Sequence, residues 1–167
     1  MVSETPEDRP EERTPEHELP EGVGDQIEEH VRRTRLAGLF LQSPSFMAVT
    51  RGEEHVFVNA NPAYREMVGD RELIGRSVRE AFPELEEQGF IDLLDRVYET
   101  GEPYVGSEEP ARLRRSAPGE GEERLETVWV SYSYHPLRDL AGDVSGILHH
   151  GIDVTERVEL RRDLKRR

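Results

Sequence analysis

Cysteine is absent from this 167-residue chain, which excludes disulfides, thiolate metal sites, thiol nucleophiles and thiol redox sensing. Hydrophobic residues make up only 34% of the composition and aromatics 7%, so the expectation is one core with part of the chain left unfolded. No apolar run approaches the roughly 18 residues that a membrane span needs. The opening MVSETPEDRP has neither the basic nor the apolar region of a signal peptide, and a cytoplasmic location is expected. Basic residues are scarce beside acidic ones, 22 against 36, for a formal charge of −14. That balance argues against nucleic acid and anionic membranes as partners, since both need a basic face.

Catalytic and metal-binding motifs are also missing. His149 and His150 are adjacent in an apparent strand and so point to opposite faces; they cannot chelate one metal together, and one core and one surface histidine are expected. No Ser-His-Asp arrangement, glycine-rich phosphate loop or paired zinc motif occurs at usable spacing.

What is there begins with an acidic leader. Residues 1–24 interleave glutamates with Pro6, Pro10, Pro15 and Pro20, which predicts a disordered tail. Residues 25–42 read as a leading amphipathic helix capped by Asp25, with Ile27, Val31, Leu36, Leu39 and Phe40 as an imperfect apolar stripe. A hairpin is expected over residues 46–59, followed by a short helix opened by Asn61 and Pro62 and stopped by Gly69. Residues 71–74 and 76–82 read as two further helical turns. Residues 84–100 read as the clearest helix, because Phe90, Leu93, Leu94, Val97 and Tyr98 fit the i, i+3, i+4, i+7, i+8 template and Gly101 can cap it.

A strand broken by Gly106 and Pro110 occupies residues 103–115, and residues 116–123 form a flexible loop. Residues 125–156 then make a long hairpin. Val128, Val130, Tyr132 and Tyr134 share one face and Trp129 lies on the other, with regular pairing expected to end at Pro136. Asp153 and Glu156 have capping-box spacing, so the last strand is expected to pass directly into a helix over residues 155–167. This order of elements indicates an α+β domain with a five-stranded antiparallel sheet and helices on one face.

The run W-x-x-x-x-x-x-P-L-R-D-x-x-G-x-V-x-G-I, closed by DVTER, resembles the last two strands and exit motif of PAS domains. HVFVNANPAYREMVG, ELIGRSVREAFPEL and GFIDLLDRVYETGEPYVG resemble the earlier elements of that fold, in the same order. The resemblance places a PAS domain at residues 43–154. In such domains a leading helix packs on the sheet's outer face or against a second subunit, so a homodimer is one arrangement implied. Flavin-binding relatives carry a cysteine after a Gly-Arg like Gly75-Arg76, where Ser77 and Val78 stand here, and a glutamine where Gly151 stands. Haem-binding relatives use a histidine on the long helix, and residues 84–100 contain none. No flavin or haem is therefore expected.

The resemblance further implies an inner pocket formed by Ala48, Thr50, Val130, Tyr132 and His149 with Phe90 and Leu94 opposite, filled either by a small molecule or by the side chains themselves. Output would leave through Asp153, Val154, Thr155 and Glu156, with Trp129 on the outer face beneath a helix or a second subunit. The implied activity is a non-catalytic sensor or interaction module acting on a histidine kinase or a similar partner. The competing reading is a small-molecule enzyme using Tyr132 and His149 as acid and base.

Overall fold

The computed structural model describes residues 22–116 and 121–167. The expected disordered tail lies outside the described residues as far as residue 21, and residues 117–120 of the expected loop also lie outside them. The chain divides between Leu36 and Ala37 into two units. Helix α1 (Val23–Gln42) starts two residues before Asp25, with Gly22 O accepting from Gln26 N, and contains no buried residue.

The second unit is built on one antiparallel sheet in the order β2-β1-β5-β4-β3. Its strands are β1 (Phe46–Arg51), β2 (Val56–Ala60), β3 (Tyr104–Ser116), β4 (Glu123–Arg138) and β5 (Val144–Asp153). Period-two alternation sends Val128, Val130, Tyr132 and Tyr134 of β4 into the core, where they meet Ala48, Ile147 and the buried faces of the helices. Those helices are α2 (Pro62–Val68), α3 (Val78–Ala81), a 3₁₀ helix (Pro83–Gln88) and α4 (Phe90–Thr100). Asn61 caps α2, and Gly101 in the left-handed conformation ends α4, both as the sequence predicts.

Four local expectations are corrected. Residues 71–74 are not helical: Leu73 O accepts from Arg76 N in a turn, and the residues just after the segment pair with β2, Gly75 N donating to Phe57 O and Arg76 O accepting from Phe57 N. The helix expected over residues 84–100 is two pieces, broken at Gly89 with φ 86°. The first piece is diverted to the edge of β3, where Gln88 accepts from Arg112 N and donates to Arg112 O, and Glu84 accepts from Arg114 N. These contacts satisfy an edge strand that would otherwise be open. Pro136 does not end pairing, which continues to Arg138 opposite Val144.

The fourth correction concerns α5 (Thr155–Arg166), whose N-cap is Val154, with no side-chain capping bond and no capping box from Glu156. Val154 is buried and its N–H donates to Trp129 O, so strand-like pairing holds it and the helix starts one residue later than Asp153 would allow.

Candidate functional site

The inner face of the sheet and the helices opposite enclose a cavity of about 60 Å³ walled by Phe46, Tyr64, Phe90, Tyr132, Tyr134 and His149 among others. Four of the expected pocket residues, Phe90, Val130, Tyr132 and His149, line it. Ala48, Thr50 and Leu94 are buried but are not among its walls. Thr50 is one step removed, its Oγ1 lying 3.0 Å from His149 Nε2. His150 sits half-exposed on the opposite face, as strand alternation requires.

The aromatic rings form a continuous wall. Tyr134 stands edge-on to both Tyr132 and His149, at centroid distances of 5.1 and 4.9 Å. Tyr132 and His149 therefore do not hydrogen-bond to each other. Tyr132 Oη donates to Glu109 Oε2 and Tyr104 Oη to Glu109 Oε1, both at 2.7 Å. Burial first, then the neighbouring Tyr134 and Glu109, raises the Tyr132 hydroxyl well above the ordinary phenol range. Burial, reinforced by charge repulsion from His55, pushes His149 down to about 3, so it stands neutral.

Nothing in the sequence marks Glu109 as a neighbour of the cavity wall. Tyr64 lies on the inward face of α2, whose short pattern says nothing about a cavity. Glu109 faces inward because β3 carries a bulge between Gly106 and Glu109. Gly106 and Pro110 signalled an irregular strand, but not which residue is the extra one.

On the outer face, α5 is fastened to β4 and β3. Trp129 N donates to Thr155 Oγ1 at 2.9 Å, and Thr155 Oγ1 donates in turn to Asp153 Oδ1, which also accepts Thr155 N–H. The Arg162 guanidinium lies 4.5 Å from the centre of the Trp129 ring, so α5 supplies part of the cover expected over this half-buried indole. Farther along, Glu108 receives both Arg161 and Arg157. The Arg161 hydrogen bond, more than any other influence, holds the Glu108 carboxyl below its usual range.

Comparison with known proteins agrees with this architecture. The PAS domain of Bordetella pertussis BvgS is 26% identical with a TM-score of 0.55, over 84% of this chain and 95% of that one. VqmA bound to DPO is 25% identical with a TM-score of 0.55, over 72% of this chain and 57% of VqmA. An RNA-binding light-oxygen-voltage receptor is 20% identical with a TM-score of 0.61; the match covers 99% of this chain but spans only 40% of the receptor's length, and it speaks for the fold alone. The family model described as PAS fold matches residues 40–159, the stretch that holds the whole sheet, the cavity and the start of α5, and the chain belongs to that family.

Proposed function

We propose that this chain is a non-catalytic PAS sensor module that binds a small molecule in the cavity behind β4 and transmits its presence through Asp153, Val154 and Thr155 to α5. The observation that carries the reading is the hydrogen-bonded chain from Trp129 N through Thr155 to Asp153. It ties the first residue of α5 to the strand whose other face, through Val130, Tyr132 and Tyr134, lines the cavity. A ligand that favours one arrangement of β4 shifts the population of α5, and only its differential affinity for the two arrangements can do so. The partner receiving α5 is a signalling protein of the histidine kinase kind or a second copy of this chain.

Acid–base chemistry finds little support. His149 is neutral, buried and bonded to Thr50, while Tyr132 holds its proton far above neutral pH. VqmA is 25% identical and carries DPO, which supports a small ligand. The charge of −14 keeps nucleic acid out of the proposed partners.

Native mass spectrometry and hydrogen exchange test this directly. Trp129→Ala and Asp153→Ala are expected to speed exchange in Thr155–Arg166 without disturbing α4, the loss of the Asp153 bonds costing about 1 kcal/mol locally. Unchanged protection of α5 in both variants, with no bound small molecule and no change in subunit count, overturns the proposal. The protein is also expected to purify colourless. Its cavity of about 60 Å³ is far below the roughly 300–1,000 Å³ of pockets that hold larger ligands. A Cβ at position 151 would lie 2.6 Å from both Phe46 Cζ and Ser131 O, so a flavin-reading glutamine has no room there. A stoichiometric visible band that survives desalting would contradict this.

A further inference from the structure

Adjacent glutamates on β3 make contacts on opposite faces of the sheet. Glu109 turns inward and accepts the hydroxyls of Tyr104 and Tyr132, the latter a cavity wall. Glu108 turns outward and holds Arg157 and Arg161 of α5. Between them the strand is irregular. Gly106 pairs with Tyr132 and Glu109 with Val130, so Ser107 and Glu108 together stand opposite the single residue Ser131. Glu108 takes the left-handed conformation, φ 49°, and its N–H donates to Ser131 Oγ at 3.0 Å instead of joining the ladder.

The extra residue decides which glutamate faces which way. Gly106 points inward; simple alternation from it would send Glu108 into the core and Glu109 into solvent. With the bulge, Glu109 joins Ala111 and Leu113 on the inner face. Glycine at 106 is part of the arrangement, because a Cβ there would lie 2.7 Å from Tyr132 Cε1 and 2.8 Å from Glu109 Cδ. The room that glycine leaves is where Tyr132 and Glu109 meet. A non-glycine residue held at positive φ persists only while its surroundings impose it, and here the surroundings are one set of contacts inside the sheet and one set outside.

We propose that the β3 bulge is the coupling element between cavity and exit helix: Glu109 reads the hydrogen-bonding state of the cavity wall, and Glu108, fixed by the same backbone kink, sets the hold on α5. A polar ligand that takes the Tyr132 hydroxyl away from Glu109 removes one of the two bonds that keep Glu109 inward. The bulge then relaxes, Glu108 leaves the left-handed conformation, and the Arg161 pair opens. This route is separate from the Asp153–Thr155–Trp129 chain and grips α5 at Arg157 and Arg161, so it governs the helix beyond its first residue. Coupling of this kind is reciprocal, so breaking the Arg161 pair loosens Glu109 in turn. The role in signalling rests on the sensor reading above; the coupling itself needs no ligand.

Hydrogen exchange on the full chain without ligand tests it. Tyr104→Phe/Tyr132→Phe removes both donors to Glu109, Glu109→Leu removes the acceptor at similar volume, and Glu108→Gln breaks the outer clamp. None of the inner-face substitutions touches α5. All three variants are expected to exchange faster in Thr155–Arg166, on the order of tenfold, while α4 and β1 stay at wild-type protection. Emission of Trp129, the single tryptophan in the chain, should change in step as Arg162 loses its place over the ring. Combining Glu109→Leu with Glu108→Gln should add nothing to Glu108→Gln alone, since both act on one element. The coupling is overturned if Glu109→Leu and the tyrosine pair leave α5 at wild-type protection, if the combined effects simply multiply, or if β1 and α4 loosen equally. Failure of these variants strikes the bulge alone, whereas unchanged α5 protection in Trp129→Ala and Asp153→Ala, with no bound molecule and no change in subunit count, strikes the sensor reading.

Discussion

Between about pH 7 and about pH 5 the wild-type protein should lose about 2 kcal/mol of stability that His149→Gln does not lose. His149 is buried among Phe57, Tyr134 and Thr50, and burial together with the nearby His55 lowers it from 6.5 to about 3. The folded chain therefore refuses a proton that the unfolded chain accepts. Its folded pKa lies below the unfolded one, so the contribution is complete above about pH 6.5 and is lost progressively as the pH falls towards about 3. Most carboxylates, with ordinary values near 4, titrate below this window, which isolates the histidine. Urea unfolding at the two pH values, in wild type and variant, measures the difference. Parallel losses in both proteins would show that His149 is already protonated or already solvated in the fold. The same measurement bears on function, because a ligand that hydrogen-bonds to neutral His149 should bind more weakly only where that histidine begins to charge.

A larger loss, roughly 3–4 kcal/mol, is expected for Asn61→Ala. Asn61 is fully buried, and its side chain makes four backbone hydrogen bonds: Oδ1 accepts from Met47 N and Tyr64 N, and Nδ2 donates to Phe40 O and Ser45 O. One amide thus starts α2, joins it to β1 and fixes the chain between the end of α1 and β1. Alanine leaves all four backbone groups without their partner, and each buried polar group left unsatisfied costs about 1–3 kcal/mol, reduced where water can enter. Asn61→Asp separates the two halves. It keeps the accepting oxygen for Met47 and Tyr64 but turns a repulsive oxygen toward Phe40 O and Ser45 O, so residues 40–45 should exchange faster while α2 stays capped. Equal loss of protection in α2 and residues 40–45 would mean that the amide acts as one unit. A loss under about 1 kcal/mol for the alanine variant would mean that neighbouring groups replace it.

Much of this protein is written locally. The alternation from Val128 to Tyr134 identified the inner face of β4 and put Trp129 outside, and Asn61-Pro62 and Gly101 marked helix ends that the structure keeps. Such signals survive because a strand's faces and a helix's ends depend on residues two to four positions apart. Signals that failed did so where a distant partner outweighed local preference. The periodicity through residues 84–100 could not show that Gln88 and Glu84 would be drawn onto β3, bending the chain at Gly89. Asp153 and Glu156 have the spacing of a capping box, yet pairing of Val154 with Trp129 delays the helix and leaves Asp153 to hold Thr155.

The site divides along the same line. The sequence by itself determined that Val130 and Tyr132 share one face of β4 and that His149 and His150 face opposite ways, because parity is a property of neighbouring residues; that His149 joins the tyrosine opposite Phe90 followed from the resemblance to PAS domains. Only the tertiary structure decided that Thr50 partners His149, that the cavity closes to about 60 Å³, and that Glu109 rather than Glu108 meets the tyrosines. Those outcomes depend on side chains brought together from strands far apart in the chain, and on one extra residue in β3 whose position is fixed by what packs against it from both faces.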